Sequence, residues 1–171
     1  ATAALAPNGD VWVVCERSSL LGHLDFDVNY DLAPTNETQP ALLLRLDGTD
    51  GHVASATRFP WLWSVSPQNT RAPRLAVDST GAVWQGGTAR IPLPVTADAA
   101  QDSATIRVGR QTPNDPGQFP GSLIRFSPTG DSILYATYLG DGEDAVAAIA
   151  IDNQDNVYVA GSRIWKISAS G

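Results

Sequence analysis

Two short loops crowd oxygen ligands together: Asp141-Gly142-Glu143-Asp144 and Asp152-Asn153-Gln154-Asp155-Asn156. A hard cation such as Ca²⁺ takes about six to eight oxygens, largely from carboxylates and carbonyls. Asp141, Glu143, Asp144, Asp152 and Asp155 are therefore the candidate calcium ligands of the chain. Their spacing is not that of an EF-hand loop. Asp and Asn also cap tight turns with their own side chains, and that use competes with metal binding at the same residues. A third acidic run, Asp25-Phe26-Asp27-Val28-Asn29-Tyr30-Asp31, alternates polar with apolar positions. It reads equally as an acidic loop and as an exposed strand with one wet face.

Other chemistries have less to work with. His23 and His52 are the only histidines and Cys15 the only cysteine, and none of them falls at a zinc-ligand spacing. A lone cysteine forms no intrachain disulfide and packs as a small apolar residue. No Gly-x-Ser-x-Gly elbow is present, so no serine nucleophile and no catalytic residue is assigned. Trp61 and Trp63 alternate within Phe59-Pro60-Trp61-Leu62-Trp63. They are core residues of a strand on the plainer reading and a carbohydrate-binding surface on the alternative one.

The elements that must position these groups are repeated. Pro7-Asn8-Gly9-Asp10-Val11-Trp12-Val13, Val77-Asp78-Ser79-Thr80-Gly81-Ala82-Val83-Trp84 and Ile151-Asp152-Asn153-Gln154-Asp155-Asn156-Val157-Tyr158-Val159 are three copies of one pattern, with Val11, Val83 and Val157 spaced by 72 and 74 residues. A second segment, Leu43-Leu44-Arg45-Leu46 through Ala56-Thr57, aligns without gaps on Leu123-Ile124-Arg125-Phe126 through Ala136-Thr137, 80 residues later. A third copy starts at Ile164-Trp165-Lys166-Ile167. Each copy reads as strand, tight turn, strand, with Asp, Ser, Pro and Gly in the turn.

Two hairpins per unit make four antiparallel strands, the pattern of a propeller blade, in units of about 1–60, 61–140 and 141–171. Inserts at roughly 16–40 and 89–120 interrupt the repeat and are where local function is expected. Within the repeat, Asp152 aligns with Asp78 and Ala6, and Asp155 with Gly81 and Gly9. Turn geometry is thus kept more faithfully than the charge cluster, which favours turn capping over calcium. Trp12, Trp84 and Tyr158 occupy equivalent strand positions and are expected in the core.

The run Gly121-Ser122-Leu123-Ile124-Arg125-Phe126-Ser127-Pro128-Thr129-Gly130-Asp131, continuing through Tyr135-Ala136-Thr137-Tyr138-Leu139-Gly140 to Val157-Tyr158-Val159-Ala160-Gly161, resembles the bacterial SBBP β-propeller repeat. Gly86-Gly87-Thr88, Pro92-Leu93-Pro94-Val95-Thr96 and Ala100-Gln101 are similar to that family's connection between its valine-tyrosine strand and its basic-residue strand. The likeness covers Arg74 to Gly161; over residues 1–60, Pro7 to Trp12 resembles NHL and lyase-type propeller repeats equally well. The resemblance implies an extracytoplasmic β-propeller module of bacterial surface or secreted proteins. It brings no common catalytic motif, so no site residue is carried over.

A propeller ring closes with at least about four blades, and about two and a half are written here. The expectation is a piece of a longer polypeptide; completion by further copies, or an open stack capped by a partner, are the alternatives. The net charge of −7, without a basic run, argues against a nucleic-acid partner. No apolar stretch is long enough for a transmembrane helix. The sequence therefore reads as an all-β, non-catalytic structural or binding module of a bacterial secreted, periplasmic, cell-surface or extracellular assembly. Its partners are other chains or copies of itself at open sheet edges, and a carbohydrate-binding or lyase-type, glycan-active propeller is the alternative.

Overall fold

A computed structural model describes residues 1–16, 27–32, 41–59, 73–89, 92–105, 119–140 and 146–168. Every regular element among them is a strand: β1 (Thr2–Leu5), β2 (Val11–Glu16), β3 (Tyr30–Asp31), β4 (Ala41–Leu46), β5 (Val53–Phe59), β6 (Arg74–Val77), β7 (Val83–Thr88), β8 (Gly121–Phe126), β9 (Ile133–Leu139), β10 (Ala148–Ile151), β11 (Val157–Ala160) and β12 (Ile164–Ile167). Among the described residues no helix is long and apolar enough to cross a membrane. The strands form three sheets, ordered β1-β2-β4-β5-β3, β6-β7-β8-β9 and β10-β11-β12. All neighbours are antiparallel except the short β3, which runs parallel to β5. The fold is all-β, and each sheet is built on an antiparallel meander of successive strands, with β3 added out of sequence at the β5 edge of the first.

Where their strands correspond, the sheets repeat one another down to their irregularities. Leu5 faces Val11, Val77 faces Val83 and Ile151 faces Val157 across the first turn of each. That turn needs a residue at positive φ, and Gly9, Gly81 and Asp155 supply it at 94°, 84° and 60°. Asp tolerates this region because its short side chain bonds locally. The β4–β5 and β8–β9 hairpins shift register at the same place, between Arg45 and Leu46 and between Arg125 and Phe126. Because the meanders are antiparallel, the tight turns gather at one end of each sheet. The inserts join their strands at the opposite end, where Glu16 faces Ala41 and Thr88 faces Gly121.

Both inserts also cover an outer edge. β3 pairs with β5 through Tyr30 and Asp31, so the acidic run 25–31 supplies an edge strand, its first two residues lying outside the described ones. In the second sheet, Thr96 and Gln101 bond the backbone of β9 at Ala136 and Tyr138. Covering an unpaired edge in this way removes a template for aggregation. Among the described residues no strand pairs with the outer edge of β12.

The sheets pack face to face, always in the same sense. The Trp12 face of the first sheet, with Val14, Leu43 and Phe59, meets Val83, Ile124, Phe126 and Ala136 of the second. The Trp84 face of the second, with Leu123 and Tyr135, meets Val157, Val159 and Ile167 of the third. β6 lies beside both β1 and β10, so the first strand of each sheet is nearest its counterparts. Two glycines permit this closeness. A Cβ on Gly86 would stand 2.7 Å from Val146 and Ile149, and one on Gly130 3.1 Å from the Trp12 ring.

Among the described residues, Gln85 and Ser122 lie buried on the face of the second sheet that meets the first, with polar side-chain atoms that have no hydrogen-bond partner. Gln85 is fully buried among apolar residues, and neither its amide nitrogen nor its oxygen has a partner. Leaving such a group unsatisfied costs about 1–3 kcal/mol, whereas an apolar side chain of similar volume does not incur that cost. Gln85→Leu is therefore expected to stabilise the fold by about 1 kcal/mol, raising Tm by roughly 2–4 °C. A thermal melt that shows no rise would mean that the carboxamide is satisfied by internal water.

Candidate functional site

The polar groups of highest organisation sit at the tight-turn end, where a carboxylate ties each turn to the strands behind it. In the second sheet this is Asp78, which is buried. One of its oxygens accepts from the Thr80 and Ala82 backbone N–H groups at 3.0 Å each and from the Thr80 hydroxyl at 2.6 Å. The other accepts from Trp84 Nε1 on β7 at 3.0 Å and from Arg125 Nε and Nη2 on β8 at 2.9 and 2.6 Å. Arg125 in turn lies over the Trp84 ring, 5.3 Å from its centroid. Burial pushes the Asp78 carboxyl upward, but the bonds from Thr80, Trp84 and Arg125 outweigh it and hold the group below the usual carboxylate range.

The third sheet repeats the device with different donors. Asp152 accepts from the Gln154 and Asn156 backbone N–H groups, from Asn156 Nδ2 at 2.8 Å and from the Tyr158 hydroxyl at 3.1 Å. The Asn156 side chain is the main cause that takes its carboxyl down to about 2, with burial acting in the opposite direction. Asp155 reaches out of its own sheet, accepting from the Ser79 backbone N–H at 2.9 Å and from its hydroxyl. Both of these calcium candidates are thus engaged by protein donors in turn capping. Asp141, Glu143 and Asp144 lie outside the described residues, as do Trp61 and Trp63.

In the first sheet the carboxylate has moved across the turn. Ala6 stands at the position of Asp78, while Asp10 stands at the position of Ala82. From there Asp10 accepts from Gly48 N–H at 3.1 Å and from Asn8 Nδ2 at 2.9 Å, but remains 3.8 Å from Arg45 Nε. Arg45 Nε is buried without a hydrogen-bond partner, and its Nη1 donates instead to the Pro128 carbonyl of the second sheet. The loosened lock leaves a cavity of about 250 Å³ between the two sheets, lined by Ala6, Asn8, Asp10, Trp12, Arg45 and Thr80 among others. It could take a small polar group that accepts from Arg45.

A second polar grouping was not visible from His52 as an isolated histidine. Asp47, Asp50 and His52 share the β4–β5 turn, and their ligand atoms lie within 4.8 Å of one another. His52 Nδ1 stands 2.6 Å from Asp50 and the imidazole pKa is raised by that contact, while the Asp50 carboxyl is lowered chiefly by the His52 backbone N–H and then by the imidazole. The grouping is largely exposed, and Asp47 and Asp50 already accept from backbone N–H groups of Thr49 and His52. The spacing Asp-x-x-Asp-x-His was its only signal in the sequence. No protein-family model and no curated protein matches this chain.

Two expectations follow from the turn carboxylates. Asp152 titrates near 2 in the folded chain and near about 4 when unfolded, so its contribution is fully present above about pH 4 and is lost as the pH falls toward 2. Asp78 adds a contribution of the same sign. Thermal melts across this window should show a steep loss of Tm that Asp152→Asn flattens; an equal slope in the variant would refute the assignment. Rebuilding the second-sheet lock in the first sheet, as Ala6→Asp with Asp10→Ala, should bring a carboxylate onto the unpartnered Arg45 Nε and add about 1–2 kcal/mol. Chemical denaturation measures this directly, and a loss of stability would show that Asp10 is the better anchor for Arg45.

Proposed function

We propose that this chain is a non-catalytic β-propeller-type repeat module, of the kind the SBBP repeat represents, serving a structural or binding role in a bacterial secreted, cell-surface or extracellular assembly. The observation that carries this reading is the repeated sheet-on-sheet contact. Three meanders stack in one sense, with their first strands adjacent, as blades do around a propeller axis. Their best-ordered polar side chains are spent on holding turns: Asp78 on Trp84 and Arg125, Asp152 on Asn156 and Tyr158, and Asp155 on Ser79. Groups committed in this way are poorly placed to act on a substrate. The extracytoplasmic bacterial setting rests on the resemblance of Gly121 to Gly161 to that repeat.

In such a module specificity belongs to loops set on a rigid scaffold, and the inserts at the end away from the tight turns are those loops. Incubation with a panel of plant and bacterial polysaccharides should give no new reducing ends and no unsaturated product. Turnover that is lost on substitution of a polar residue along β1, β6 or β10 would overturn the non-catalytic reading in favour of a glycan-active propeller.

A further inference from the structure

The two most exposed large apolar side chains among the described residues are Ile164, at 79%, and Leu5, at 70%. They lie at the two ends of the stack, one on each outward face. The repeat shows what such positions do when a neighbour is present. Ile164 is the counterpart of Leu43 and Leu123, both at 0% exposure within the two internal interfaces. Leu5 is the counterpart of Val77 and Ile151, which pack into those same interfaces from the other side. The pairing is therefore Leu43 face on Val77 face and Leu123 face on Ile151 face, with the Ile164 face and the Leu5 face left over.

We infer that the Ile164 face of one copy packs on the Leu5 face of a second copy, and that two chains close head to tail into a symmetric dimer of six sheets. This rests on the reading of the sheets as propeller blades, whose rings close with about four to eight. A two-fold axis makes both junctions identical, so no outward face remains. The fit extends to coverage. On the outward face of the first sheet, Cys15, Leu42, Leu44 and Ala56 are already buried, whereas Leu5 and Val11 near the first turn are not. Among the described residues the third sheet offers β10, β11 and β12 to this open half.

Charge agrees with the same step. Arg45 crosses the first internal interface to the carbonyl of Pro128, in the β8–β9 turn of the next sheet. Lys166 is the counterpart of Arg45, is exposed, and lies over the Tyr158 ring on the open face. The equivalent crossing brings its ammonium to the β4–β5 turn of the second copy, which carries Asp47 and Asp50.

Light scattering over a dilution series tests the inference. The expected mass is about 36 kDa, twice the 18.1 kDa of the chain. Leu5→Glu and Ile164→Glu, both at exposed sites, should each give a folded monomer, and Lys166→Glu should weaken the dimer severalfold at low salt. Mixing Leu5→Glu with Ile164→Glu should restore a dimer, because both substitutions then fall in one junction and the other is intact. A wild-type monomer, or a dimer untouched by Leu5→Glu, overturns the inference. Hydrogen exchange separates the two levels. A monomer protected at Leu43, Phe126, Leu123 and Val157 leaves the blade reading standing, whereas unprotected interfaces remove both.

Discussion

Arg125 and Trp84 converge on one oxygen of a carboxylate that has no contact with water, and the geometry of the second sheet follows from that convergence. A buried charge is tolerated only when paired and saturated with hydrogen bonds. Asp78 must therefore hold the turn, β7 and β8 in a single arrangement. With the indole pinned by its nitrogen, the rest of the Trp84 ring is held against Tyr135, centroids 5.7 Å apart, at the interface with the third sheet. A polar lock at the turn thus orients the apolar faces through which the sheets stack.

The other sheets show how far this lock can be altered. Replacing Trp and Arg by Tyr158 and Lys166 keeps the hydroxyl bond to Asp152 but frees the cation, which turns to the aromatic face instead. Moving the carboxylate from position 6 to position 10 keeps its charge near Arg45 but lengthens the contact to 3.8 Å and opens a cavity. The first sheet then relies on its neighbour. Arg45, Ser55 and Thr57 all donate to backbone carbonyls of the turn from Pro128 to Gly130. Stability in such a stack is shared between units and the interfaces joining them.

This distribution of polar groups has a functional side. Side chains that look reactive in isolation, such as the Asp152 to Asn156 run, turn out to be partners of one another at 2.8–3.1 Å. The faces between sheets are largely apolar, and the inserts leave their strands at the end opposite the locks. A scaffold of this kind can exchange its loops and its neighbours without disturbing its core.

Local chemistry was legible in the sequence because its causes are local. A turn that needs positive φ within four residues of a capping Asp announces itself as Asp-x-x-Gly, and the repeats of Val11, Val83 and Val157 located the strands that flank it. The equivalence of Trp12, Trp84 and Tyr158 followed from the same alignment, and Trp12 and Trp84 are buried. What the sequence left open depended on residues more than 70 positions apart. Nothing along the chain placed Asp155 beside Ser79 of another sheet. Gln85 gave no sign of being sealed between two sheets. The sequence by itself determined strands, turns and their repetition, since these depend on backbone conformation and side chains a few residues apart. Which faces meet, which edges are covered and which carboxylates are spent were decided only by tertiary structure, because packing and charge pairing depend on distances in space that spacing along the chain does not encode.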